Sequence, residues 1–134
     1  MHTNERLLDD YFDAWNATDV ERILTFFSDS TYYEDMALAH SWTGPAEIRG
    51  FLEESFETTG NFKIEIFRRR AWDKAGTTYW LITGLYHGPI EAAKGKQMAI
   101  KGVSFHEFED GKISFNIDVW DKANLLEQFG LMPG

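Results

Sequence analysis

Between Gly111 and Gly130 the chain reads GKISFNIDVWDKANLLEQFG, and the pairing of its first ten residues decides the fold. Ile113, Phe115, Ile117 and Val119 alternate with Ser114, Asn116, Asp118 and Trp120, which is the two-residue period of a strand. One face is apolar throughout, and the other is polar until Trp120. Asp118 therefore lies either on a solvated outer face or on the wall of a pocket. The hairpin signal EDGK, Glu109–Lys112, stands just upstream. A loop of only Asp110 and Gly111 makes facing residues sum to an odd number and puts His106 and Asp118 on opposite faces. A three-residue loop with Gly111 in a bulge puts them on one face. Asp121, just past the strand, reads as the cap of a closing helix over Asn124–Gly130, with Gly130 at its C-terminal end.

Upstream of this stretch the pattern is helices first, then strands. From Asn4 to Ala17, Leu7, Leu8, Tyr11, Phe12 and Trp15 recur at helical spacing among acids. Asp19 caps a shorter helix carrying Ile23, Leu24 and Phe27. SDSTYYEDMALAHSW is rich in β-formers but broken. After it, Thr43 can cap and Pro45 can occupy the first turn of a helix with Ile48, Phe51, Leu52 and Phe56, ending at Gly60. Phe62–Trp72, Thr77–His87 and Gln97–Glu109 then read as three long strands. This order predicts an α+β domain spanning 1–134, in which long antiparallel strands form a bent sheet wrapped on the helices, leaving a concave side where a small molecule can lodge.

Composition narrows the partners. The net charge of -9 argues against nucleic acid and anionic membranes, and Arg68–Arg70 is the one basic run. With no cysteine there is no disulfide framework, thiolate nucleophile or sulfur metal site, which fits a reducing cytoplasm. MHTNERLLDD has no signal-peptide pattern, and no apolar run approaches membrane-spanning length. Aromatics make up 16% of the chain, more than a small core needs, so some can line a cavity. No H-x-x-x-H spacing appears, and no cofactor is implied.

The order of elements, with WNATDVERILTFFSDSTYYEDMALAHSWTGPAEIRGF and FHEFEDGKISFNIDVWDKANLLEQFGL, resembles the SnoaL-like polyketide cyclases and ketosteroid isomerases of the nuclear transport factor 2-like superfamily. That resemblance implies a cone fold, a homodimer formed through the open sheet face, and a pocket for a small apolar ligand. In the cyclases a catalytic Asp follows the last hairpin, and the matching position is Asp118. LLEQFG is similar to the family's L-x-Q-L-G ending, and His106 is similar in placement to the cyclases' pocket histidine. The cyclases keep an even His–Asp separation, which favours the bulged loop. In the isomerases the base lies eight residues after the Phe closing the second helix, which here is Asp35. Their oxyanion-hole Tyr falls on Tyr11, and Ser104 stands near the place of their protonated acid.

These residue types suit proton transfer beside a carbonyl. Such chemistry needs a base with a pKa near neutrality and donors where the enolate charge develops. A carboxylate in an apolar pocket is shifted toward that range by desolvation. The resemblance thus implies cofactor-independent acid/base chemistry on an apolar carbonyl compound, namely aldol-type cyclisation, isomerisation or dehydration, by Asp118, His106, Asp35 and Tyr11. His40, Trp42, Trp80, Ser104 and Trp120 are candidates to line the pocket. Two alternatives share the fold: a non-catalytic binding or regulatory domain, and an epoxide hydrolase, which requires Arg68 or Arg70 to point inward between two acids. A cavity plugged by Trp80 or Trp120 favours the non-catalytic alternative.

Overall fold

The computed structural model describes residues 1–132. Helices α1 (Thr3–Asn16) and α2 (Val20–Leu24) lead to β1 (Phe27–Asp35), β2 (His40–Thr43) and α3 (Gly44–Thr58). Then come β3 (Thr59–Ala71), β4 (Ala75–Tyr86), β5 (Gln97–Glu109), β6 (Lys112–Trp120) and α4 (Lys122–Gln128). The six strands form one sheet in the order β2-β1-β6-β5-β4-β3. Every neighbouring pair is antiparallel except β1 beside β6.

Local chemistry sets the helix ends. The His2 side chain accepts from the Asn4 amide at 3.0 Å while Glu5 accepts from the His2 amide at 3.1 Å, a reciprocal cap on α1. The side chains of Asp19 and Asp121 cap α2 and α4 through the amides of Arg22 and Asn124, so Asp121 is a helix cap. Thr43 precedes α3 but makes no side-chain cap; Glu47 instead accepts from its amide at 3.0 Å. That helix stops at Thr58, and Gly60 already pairs with Leu85 in the sheet.

α1 is fixed near both of its ends, to the turn after β3 and to β3 itself. Asn4 donates to the carbonyls of Trp72 and Asp73, and Asn16 exchanges two hydrogen bonds with the backbone of Ile64 at 2.8 and 2.9 Å. Its apolar stripe, Leu8, Tyr11, Phe12 and Trp15, packs with Ile23, Ile48, Leu52 and Ile113 inside the sheet's curve. Each fully buried aliphatic there contributes about 1.5–3 kcal/mol. No helix among the described residues is long and apolar enough to cross a membrane.

Two bulges decide which side chains face inward. The hairpin closes with only Asp110 and Gly111, both at positive φ (52° and 76°), while Glu109 pairs with Lys112. The three-residue loop with Gly111 in a bulge is therefore not formed. Instead Ser114 is the extra residue, because Phe108 pairs with Ile113 but Glu107 pairs with Phe115. This restores the even register, with His106 opposite Asn116 and Ser104 opposite Asp118, and places His106 and Asp118 on one face. Phe67 is a second extra residue, between the pairs Ile66–Trp80 and Arg68–Tyr79. It turns Arg69 to the inner side, where it binds Asp9 at 2.7 Å and Glu5 at 2.9 Å, and leaves Arg68 and Arg70 exposed.

Candidate functional site

Between the concave face of the sheet and helices α1 and α3 lies a cavity of about 210 Å³. Helix α1 supplies Tyr11, Phe12 and Trp15, and α3 supplies Phe51, Ser55 and Thr58. The strands supply Tyr33 and Asp35 from β1, Trp80 and Ile82 from β4, Ile100 and Ser104 from β5, and Asp118 and Trp120 from β6. Among the described residues, nine of the twenty that line it are aromatic, and charge comes only from Asp35 and Asp118, with no Lys, Arg or His in the wall.

Strand register arranges the polar groups in rows across the inner face. Asp35, Asp118, Ser104 and Thr78 lie side by side on β1, β6, β5 and β4. Tyr33, Asn116 and His106 form the adjacent row on one side. On the other side stand Trp120, Gly102 and Trp80, with the Trp80 ring lying over Gly102, where an added Cβ would come within 2.3 Å of it.

Asp118 is the best-held group of the set. Ser104 Oγ and Asn116 Nδ2 donate to its Oδ1 at 2.6 and 2.9 Å, and Tyr33 Oη donates to its Oδ2. Ser104 is oriented in turn by the Trp80 indole N–H at 2.8 Å. Burial pushes the Asp118 carboxyl up to about 6; these donors oppose the shift and the charge of Asp35 adds to it. Desolvation outweighs three hydrogen bonds, which places the group where it can both take and return a proton near neutral pH.

His106 does not line the cavity, nor does it touch Asp118. Asn116 stands between them, accepting at Oδ1 from His106 Nδ1 at 2.7 Å while its amide donates to Asp118. That polarity makes Nδ1 the protonated nitrogen, so Nε2 accepts from Thr78 Oγ1 at 3.0 Å. Fully buried against Tyr11, Phe12 and Phe108, the imidazole is pushed down to about 4 by desolvation, against the Asn116 bond, and stays neutral. Thr78, His106 and Asn116 thus form a one-way chain of donors ending on Asp118.

The second carboxylate, Asp35, receives the Trp120 indole N–H on both oxygens at 2.9–3.0 Å and the Leu38 amide at 2.9 Å. Burial raises its pKa, and Trp120 opposes that shift. Burial also raises the phenols of Tyr11 and Tyr33, with the charge of Asp118 adding to both, so each is a neutral donor. The structure thus brings Asp118, Asp35, Tyr11, Trp80, Ser104 and Trp120 to one cavity. Trp80 and Trp120 line it without filling it.

His40 and Trp42 fall outside the lining because β2 is the sheet's edge. His40 is exposed against Trp42, and Trp42 stacks on Phe51 at 4.2 Å, leaving Phe51 to reach the cavity. Tyr33 and Asn116 escaped the sequence reading, although each stands two residues before a candidate acid on the same strand and therefore shares its face. Arg68 and Arg70 are exposed, and Arg69 with its acids Asp9 and Glu5 lies outside the cavity, so among the described residues no arginine stands between two acids in the cavity wall, as epoxide hydrolysis requires. Among the described residues no group of three or more His, Asp or Glu is arranged to hold a metal ion.

LLEQFG braces the cavity's outer end. β5 continues past the end of β6, and the Gln128 amide closes the free backbone of Ala99 with bonds of 2.7 and 2.9 Å. Phe129 packs on Tyr86 and Met98, two further lining residues.

An α+β cone of a curved sheet closed by helices is the ketosteroid isomerase-like, nuclear transport factor 2-like fold. The model of the SnoaL-like domain family matches residues 8–116, and the chain belongs to that family. None of the curated proteins compared with it matches. Among solved structures, a protein of ketosteroid isomerase-like fold from Catenulispora acidiphila, in complex with trimethylamine, superposes with a TM-score of 0.82 at 19% identity, over 94% of this chain and 93% of that one. A protein of Shewanella putrefaciens described as a SnoaL-like polyketide cyclase gives 0.82 at 20% identity, over 98% and 88%. An epoxide hydrolase of M. tuberculosis gives 0.74 at 18% identity, over 92% and 86%. At these identities the likeness is one of fold.

Proposed function

We propose that the cavity catalyses proton transfer beside a carbonyl of a small apolar substrate, as in aldol-type cyclisation or isomerisation, with Asp118 as the acid/base. The observation that carries this reading is a carboxylate with a pKa of about 6 at the wall of an apolar cavity. Oδ1 is occupied by two donors and Oδ2 by one, so Oδ2 keeps a lone pair for the substrate. Ionised Asp118 takes the proton from the carbon next to the carbonyl. Tyr11, a neutral phenol in the same wall, donates to the enolate oxygen as its charge grows. The enolate carbon then attacks a second carbonyl, and the alkoxide takes the proton from Asp118, which balances the reaction without a redox partner. Asp35, beside Asp118 in the register, is a second carboxylate able to carry the proton. His106 acts through Asn116 as a positioning residue.

The test is solvent deuterium incorporation into a panel of cyclic ketones, followed by mass spectrometry. The reading requires exchange above the buffer rate that is lost in Asp118→Asn. Exchange that survives both Asp118→Asn and Asp35→Asn sinks it.

We also infer that two copies associate through the outer sheet face. Tyr79, Val103, Phe105 and Val119 are 38–45% exposed there, and an apolar sheet surface of this kind seeks cover. Light scattering on the eluted protein tests this, and a monomer at high micromolar concentration overturns it.

A further inference from the structure

The same cavity carries information about the size and charge of what it accepts. Its volume of about 210 Å³ lies below the roughly 300 Å³ at which sites for drug-sized ligands begin, whereas an apolar cavity of about 150 Å³ holds a benzene molecule. One ring with substituents, or two fused rings, fills it. A four-ring compound reaching Asp118 is too large to be enclosed by the walls.

The limit is built into the sheet. Gly102 has no side chain, and the Trp80 indole occupies the space over it, between β4 and the Trp120 position on β6. The indole is fixed there because its N–H bonds Ser104, which itself holds Asp118. Trp80 is 4% exposed and can leave this place only by breaking that chain. Charge selects too. Among the described residues the wall contains the two carboxylates Asp35 and Asp118 and no cationic side chain, so a ligand carboxylate meets repulsion that no wall side chain offsets.

We infer that the ligand is a compact ketone of one or two rings without an anionic group, and that Trp80 sets its size. The ketone part of this rests on the proton-transfer reading above; the size and charge limits rest on the cavity walls. The test is calorimetric titration of the full-length protein at pH 8 with 2-cyclohexenone, 2-tetralone, a four-ring steroid enone and tetralin-2-carboxylate, with deuterium exchange measured on the three ketones. The expected result is 2-tetralone binding at least tenfold tighter than both the four-ring enone and the carboxylate. In Trp80→Leu, or in Trp80→Phe if the first variant does not fold, the preference over the four-ring enone shrinks at least threefold. Wild type binding the four-ring enone or the carboxylate as well as 2-tetralone overturns the inference, as does no measurable binding of either small ketone. Selective binding without exchange overturns the proton-transfer reading and leaves the size limit standing.

Discussion

The two faces of β5 and β6 differ in a direction opposite to that of an ordinary half-buried sheet. Outward stand Val103, Phe105, Phe115, Ile117 and Val119; inward stand Ser104, His106, Asn116 and Asp118, all buried. Usually the apolar set is packed and the polar set is wet. Here the polar set is desolvated, and every member has a partner. Such a row is costly to bury and weak as a stability device, since an apolar core of the same shape is often at least as stable. What it provides is a carboxylate of fixed orientation with a pKa moved toward neutrality, which is the property a proton-transfer site requires.

The inner face breaks most sharply at the acid itself. Asp118→Asn is expected to lower ketone deuterium exchange by about 10²–10⁴-fold, the range of general acid–base catalysis, while the fold survives. Exchange assays and circular dichroism on the same preparation check both halves of that statement.

Two buried groups on this face oppose each other in acid. Asp118 rises from 3.8 to about 6 on folding, so its charged form destabilises, and that loss is relieved as pH falls from 6 to 4. His106 drops from 6.5 to about 4, so the neutral ring's contribution is lost over nearly the same window as pH falls. Each effect is on the order of 3 kcal/mol, and in the wild type they largely cancel. Urea unfolding between pH 7 and pH 4 should therefore show a steeper acid loss in Asp118→Asn than in the wild type. In His106→Gln stability should instead rise, relative to the wild type, as the pH falls. Parallel pH profiles for all three proteins would contradict this arrangement.

Gly102→Ala probes the row where the two faces share a constraint. Its Cβ would sit 2.3 Å from the Trp80 ring, so the indole must move, at a cost of about 1–3 kcal/mol and with loss of cavity volume. A denaturation midpoint unchanged from wild type would show that the ring is not fixed where it lies. On the outer face, Phe105→Glu should weaken self-association at least tenfold, about 1.4 kcal/mol, without altering ketone binding. Sedimentation across a concentration series resolves that change. The smallest effect is expected for Tyr33→Phe, which removes one of three donors from Asp118 and moves the acidic limb of the pH–rate profile upward.

Much of this was legible beforehand. Asp19 and Asp121 marked their helices because a short acceptor side chain before an apolar period has one local use. The closing strand and the EDGK hairpin were visible in period and turn chemistry, and counting from DGKI brought Asp118 into the family pattern. The roles of Tyr33 and Asn116 were hidden because a tyrosine among β-formers and an asparagine in a polar alternation look like packing and solvent exposure. His40 and Trp42 looked like pocket residues because aromatic character says nothing about whether a strand lies at an edge. Arg68 and Arg70 point outward because Phe67 is an extra residue; an unbroken two-residue period from Ile64 and Ile66 would turn them inward.

The sequence by itself determined the helices, the strands β3 to β6, the helices-then-strands order of an α+β domain, and the presence of an acid near the end of the last strand. Those are matters of local period, caps and turns, each set within a few residues. Tertiary structure decided that the polar face of that strand turns inward, that β1 runs parallel beside it so that Asp35 meets Asp118, and that Asn116 separates His106 from the acid. These outcomes hang on one unpaired residue at Ser114 and on pairing between segments about eighty residues apart. Facing reverses with every single-residue shift of register, so only the assembled sheet could fix it.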